Sequence, residues 1–133
     1  MVNDSIPPIT DWVVVAEEMP RFPGCEEMED NAMVKKQCAD QKFLQYIYTN
    51  WKIPLEAQEA QVYELIAVSF IIDTKGKVRG IEILRDPGYG MGASVVAVLE
   101  SMNDLPVPWR PGQLDGEAVA VKYNLPIRYH LDY

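Results

Sequence analysis

The chain has 133 residues, of which 48% are hydrophobic and 24% charged, a composition that suits one globular domain with its own core. Its net charge of −8, with the basic residues scattered, argues against nucleic acid as a partner, because phosphate binding needs clustered Lys and Arg. The longest apolar run, Leu65–Ile72, is far shorter than the roughly 20 residues of a membrane helix. The polar, proline-containing start offers no signal peptide, so the chain is either cytosolic or the end of a longer protein.

The first elements predicted along the chain are a tail, a short strand and two helices. Residues 1–10 are expected to form a flexible tail, because Pro7 and Pro8 block regular structure, and residues 11–133 are expected to form the domain. A short strand is predicted over 11–17. Apolar residues at three- and four-residue spacing predict a helix over 32–51, and Pro54 fits the first turn of a short second helix.

A hairpin and a third helix follow. Strands are predicted over 64–73 and 77–85, joined by a turn in which Gly76 supplies a positive φ. The apolar residues of the second strand are out of step by one around Gly80, which predicts a β-bulge. A glycine-rich loop over 86–92 leads into a helix over 93–102.

The end of the chain alternates between apolar and polar residues over 118–133, which predicts one long strand with one buried face. Pro126 has no N–H to donate, so this strand is expected at an edge of the sheet. A long terminal edge strand either needs protection or is available for pairing with another strand.

This order of elements predicts an α+β fold, with a small antiparallel sheet of about three to four strands and two main helices packed on one face. The side chains predicted to form the core are Phe43, Leu44, Ile47, Val68, Phe70, Ile83, Leu99, Val121 and Tyr123.

The residues capable of chemistry are few. Cys25 and Cys38 are too far apart for a CxxC motif and lack companions for a zinc site, so they form a disulfide in an oxidising compartment or remain idle thiols in the cytosol. His130 is the only histidine, and alternation places it on the polar face of the last strand. A thiol enzyme that uses Cys25 or Cys38 with His130 is one hypothesis, but no other constellation for catalysis, a metal or a cofactor is present. The acidic residues over 26–30 lack the pattern of a calcium loop and predict a solvated loop.

Several motifs occur in an order that resembles a known family. They are MPRFPG at Met19–Gly24, Ile53-Pro54 with Ala57-Gln58, VSFIID at Val68–Asp73, Gly76-x-Val78, Trp109-x-Pro111-Gly112, Gly116 and the final NLPIRYHL. Together they resemble the C-terminal domain of TonB proteins over about residues 12–133. The resemblance is strongest to the version common in Bacteroidetes-type bacteria, in which a cysteine pair also brackets an acidic loop.

This resemblance implies a non-enzymatic periplasmic domain that couples the inner-membrane proton-motive force to outer-membrane active transport. It implies a disulfide between Cys25 and Cys38 and binding of the TonB-box peptide of outer-membrane TonB-dependent receptors. We expect that peptide to pair with the last strand, along Ile127, Arg128, Tyr129, His130, Leu131, Asp132 and Tyr133. An N-terminal region not in this chain would anchor the domain in the inner membrane and contact the proton-driven motor complex.

Two alternatives remain within the same fold. The domain could bind a ligand or peptide as part of a membrane sensor or of a peptidase-associated protein, without transmitting force. The last strand could instead complete the sheet or form a homodimer through its edge.

Overall fold

The computed structural model describes residues 11–128, so the predicted tail over 1–10 and the chain end over 129–133 lie outside the described residues. The helices are α1 (Ala32–Asn50), α2 (Leu55–Glu59) and α3 (Met91–Ser101), which continues into a 3-10 turn, Met102–Asp104. The strands are β1 (Ile66–Ile72), β2 (Val78–Arg85), β3 (Gly112–Leu114), β4 (Glu117–Val119) and β5 (Val121–Ile127).

The described strands form a three-stranded antiparallel sheet in the order β2-β1-β5 and a separate two-stranded sheet of β3 and β4. The predicted α+β class, with a small antiparallel sheet, is therefore confirmed. The predicted bulge is present, since Ser69 pairs with Glu82 whereas Ile71 pairs with Arg79, which leaves one extra residue on β2 beside Gly80. β1 is the central strand, and alternate side chains are buried on both of its faces.

The helix α1 starts and ends where local hydrogen bonds allow it. The Asn31 side chain accepts a hydrogen bond from the Val34 N–H at 2.9 Å, which satisfies one of the donors left free in the first turn.

Ala39 and Ile47 are buried. The prediction that Leu44 belongs to the core is wrong, because its side chain is 46% exposed. The helical pattern placed Leu44 beside Ile47, but no other element within residues 11–128 covers that flank.

The core lies between the helices and one face of the three-stranded sheet, and an aromatic cluster forms much of it. Phe70 of β1 contacts Phe43, Trp109 and Tyr123, at ring-centroid distances of 6.1, 6.3 and 5.6 Å. Ile83 was also predicted here, but it is 43% exposed. It lies opposite Val68 on β2, an edge strand whose core face is only partly covered near Gly92 of α3.

The prediction of a single long last strand is wrong, because the strand is interrupted at Ala120. Residues 117–119 pair with β3 across the turn at Asp115 and Gly116, and only β5 joins the main sheet. The strand predicted over 11–17 is also wrong. It is reduced to isolated bridges, Val13 with Val121 and Glu18 with Gln113, because the segment crosses from one sheet to the other.

Candidate partner-binding edge

The outer edge of β5 begins with two hydrogen bonds to the N-terminal segment. The Val13 N–H donates to the Ala120 carbonyl oxygen, and the Lys122 N–H donates to the Val13 carbonyl oxygen, both at 2.9 Å. The backbone of Lys122 therefore faces away from β1. Because alternate residues of a strand direct their backbone groups to the same side, those of Asn124 and Pro126 face this edge as well.

Pro126 fits this arrangement. It pairs with Ala67 of β1 in the same orientation that Lys122 and Asn124 adopt, so its missing N–H lies on the outer side and removes no bond to β1. Leu125 and Ile127 are buried, whereas the side chains of Asn124 and Pro126 are exposed. β5 is therefore a regular edge strand that is held in place by its buried side chains. The backbone of Asn124 and Pro126 faces outwards, away from β1.

The structure covers only two of the seven residues predicted to bind the partner strand. Ile127 is buried and pairs with Ile66 of β1, and Arg128 is exposed. The Arg128 carbonyl oxygen accepts a hydrogen bond from the Tyr48 hydroxyl at 3.1 Å, and the Arg128 guanidinium donates to the Tyr63 carbonyl oxygen at 3.3 Å. Residues 129–133, including His130, lie outside the described part of the chain.

The helix α1 is held to β5 by a polar contact in its first half. The Lys36 ammonium donates to the Tyr123 hydroxyl at 2.9 Å, to Asp40 at 2.8 Å and to the Pro20 carbonyl oxygen at 3.1 Å. Burial lowers the pKa of Lys36, but the hydrogen bonds to Asp40 and Tyr123 outweigh it, so the pKa is raised. For the Tyr123 hydroxyl, burial acts in the opposite direction and raises the pKa. No local sequence pattern indicates this contact, because Lys36 and Tyr123 are far apart in the chain.

Cys25 and Cys38 form a disulfide, with their Cα atoms 6.1 Å apart, which ties the acidic loop to α1. Neither cysteine is a free thiol, so the structure lacks the nucleophile that a thiol enzyme using either residue would need.

The acidic loop is less solvated than predicted, because Glu26 is ion-paired. The buried Arg21 guanidinium donates to the two carboxylate oxygens of Glu26 at 2.6 and 2.8 Å, and to Glu18 at 3.2 Å. The hydrogen bond from Arg21 holds the pKa of Glu26 below its ordinary value. Among residues 11–128, no group of three or more His, Cys, Asp or Glu side chains is arranged to hold a metal ion.

Comparison with known proteins identifies the family. The family of Gram-negative bacterial TonB protein C-terminal domains matches residues 50–131, more than half of the chain. The chain therefore belongs to the TonB C-terminal family. Domains of this family are periplasmic, and they bind partners and transduce energy rather than catalyse reactions. The acidic loop, the disulfide and all of α1 except its last residue, Asn50, lie N-terminal to the matched residues.

Two NMR solution structures of the Helicobacter pylori TonB C-terminal domain are similar to this chain. The shorter fragment is 23% identical, with a TM-score of 0.49, over 68% of this chain and 90% of that one. The longer fragment is 19% identical, with a TM-score of 0.47, over 69% of this chain and 81% of that one. No curated protein sequence matches the chain significantly. No helix within residues 11–128 is long and apolar enough to cross a membrane.

Proposed function

We propose that this domain is the receptor-binding module of a TonB-like energy transducer. In this proposal it binds the TonB-box peptide of an outer-membrane receptor by strand addition. The peptide pairs with the outer edge of β5 from Asn124 through Ile127–Tyr133. An N-terminal segment outside this sequence anchors the module in the inner membrane and connects it to the proton-driven motor complex.

The observation that carries this proposal is the outward direction of the Asn124 backbone. Val13 already pairs with the same edge at Lys122, so this side of β5 is able to accept a strand. The N-terminal segment then leaves the edge, because Glu18 pairs with Gln113 of β3. At Asn124 and Pro126 the outward backbone groups make no hydrogen bond within residues 11–128, so a second strand is able to pair there, whereas the Arg128 carbonyl oxygen is already bonded to the Tyr48 hydroxyl.

Strand addition at this position also suits the transmission of force. β5 pairs with β1 over its whole length, from Val121 opposite Ile72 to Ile127 opposite Ile66. Its buried side chains add to that attachment. A peptide paired with the outer edge would share a pulling force along the strand among several main-chain hydrogen bonds, while β5 itself stays attached to the core.

The test uses two substitutions at one exposed residue, Asn124→Pro and Asn124→Ala. Proline removes the outward N–H and, like Pro126, should leave the bonds to β1 intact, whereas alanine removes only the side chain. We expect the proline variant to bind a synthetic TonB-box peptide about tenfold more weakly or worse, and the alanine variant to bind nearly as well as the parent protein.

Binding is measured by fluorescence anisotropy, and the site is located by amide NMR of the labelled domain. Circular dichroism and thermal unfolding of both variants show whether the fold is kept. Equal affinity of the two variants, or amide shifts confined to the helices with β5 unmoved, would mean that the peptide does not pair with this edge.

A further inference from the structure

The helix α1 has an apolar flank that remains uncovered among the described residues. Asp40, Leu44 and Tyr48 are spaced four residues apart and therefore lie along one side of the helix. Leu44 is 46% exposed and Tyr48 is 49% exposed. The opposite side of α1 faces α3, since the Tyr46 hydroxyl lies 2.7 Å from the Ser101 hydroxyl. The uncovered flank therefore points away from α3.

This flank lies beside β5, as two hydrogen bonds at its ends show. Lys36 bonds to the Tyr123 hydroxyl, and the Tyr48 hydroxyl bonds to the Arg128 carbonyl oxygen. From Lys36 to Tyr48 the helix advances about 18 Å, and from Tyr123 to Arg128 the strand advances about 17 Å. α1 therefore runs alongside β5 in the same direction, and Leu44 lies between the two contacts.

We propose that α1 also contacts the peptide that pairs with β5, through two apolar peptide side chains that pack against Leu44 and Tyr48. This inference rests on the proposed function. Leu44 and Tyr48 are about 6 Å apart along the helix axis, and two side chains on the same face of a strand, at positions i and i+2, are about 6.6 Å apart. An added strand would therefore present successive side chains at the spacing of this flank.

The occupant is thus an extended partner peptide with apolar residues at alternate positions on its helix-facing side. The backbone of β5 supplies affinity without regard to sequence, whereas Leu44 and Tyr48 select among peptides by the apolar area they cover. The N-terminal segment of this chain is a weaker candidate, because its described part leaves the edge before Asn124.

The substitution that tests the inference is Leu44→Glu, and its matched control is Leu55→Glu. Both leucines are exposed on helices, at 46% and 67%, and glutamate has nearly the helix propensity of leucine, so both variants should fold. We expect Leu44→Glu to weaken binding of the TonB-box peptide about tenfold and Leu55→Glu to leave it unchanged.

A second peptide, with alanine at the two helix-facing positions, makes the test specific. It should bind the parent protein and the Leu44→Glu variant with similar affinities, because the contact that distinguishes the two proteins is absent from it. If Leu44→Glu weakens both peptides equally, the flank does not contact those positions and the inference is wrong.

The results at Asn124 separate this inference from the proposed function. If Asn124→Pro weakens binding but Leu44→Glu does not, the peptide pairs with β5 without contacting α1, and only the inference fails. If neither variant loses affinity for the peptide, the proposed function and the inference are both wrong. If Leu44→Glu converts a dimer of the free domain to a monomer in analytical ultracentrifugation and leaves peptide affinity unchanged, a second copy covers the flank and the inference is overturned.

Discussion

Replacement of Gly76 by alanine tests how the β1–β2 hairpin is joined to the rest of the domain. The Gly76 N–H donates to the Asp73 carbonyl oxygen at 3.0 Å, and the Gly76 carbonyl oxygen accepts from the Trp109 N–H at 3.2 Å. Its φ of +80° is one that side chains with a Cβ rarely adopt. A Cβ at this position would overlap the Trp109 carbonyl oxygen, which belongs to the backbone and cannot rotate away.

The expected loss of stability combines three costs. The left-handed conformation costs an alanine about 1 kcal/mol. Relief of the overlap must separate the turn from Trp109, which breaks a hydrogen bond worth about 1 kcal/mol. It also loosens the packing of the Trp109 ring on Phe22 and Phe43, at centroid distances of 5.5 and 5.1 Å, which adds about 1 kcal/mol. We therefore expect Gly76→Ala to reduce the free energy of unfolding by about 3 kcal/mol.

Gly116→Ala is the matched control. Its φ of +78° is nearly the same, but no atom lies within 4 Å of its would-be Cβ, so only the conformational cost of about 1 kcal/mol applies. Both variants are measured by urea unfolding with the same extrapolation. Equal losses for the two variants would show that the turn relaxes freely away from Trp109, and the argument from overlap would then be wrong.

Two further predictions concern the N-terminal region. Substitution of both Cys25 and Cys38 by serine should cost about 3 kcal/mol of stability, because the closed loop no longer restricts the unfolded chain. Intact-mass measurement after alkylation should find no free thiol in the unreduced, periplasmically expressed protein, and two alkylated thiols would contradict the disulfide. Because Arg21 lowers the pKa of Glu26 in the folded protein, this carboxylate stabilises the fold above its ordinary pKa of 4.5, and the contribution is lost as the pH falls through the folded value. The Glu26→Gln variant should therefore have a lower free energy of unfolding than the parent protein at pH 7, and this difference should shrink in acid. The control variant Glu29→Gln, at an exposed residue, should show no such difference. A difference between Glu26→Gln and the parent that does not change with pH would refute the role of the charge.

Part of the candidate site could be predicted from the sequence. Alternation over Val121–Ile127 predicted which side chains are buried, and the missing N–H of Pro126 predicted an edge position, since a central strand needs donors on both sides. That the N-terminal segment pairs with the first part of that edge could not be predicted. Val13 reaches Lys122 only because the chain between them folds back, and no local pattern encodes that approach.

The sequence by itself determined the strands of the main sheet, the hairpin turn at Gly76, the bulge beside Gly80 and the family. These features depend on local periodicity, backbone conformation and ordered motifs. Only the tertiary structure decided that the last strand divides at Ala120 and that Arg21 neutralises part of the acidic loop. It also decided that Leu44 of α1 stays exposed. The physical reason is that periodicity shows which residues share a face, but burial depends on whether another element, distant in the sequence, comes to cover that face.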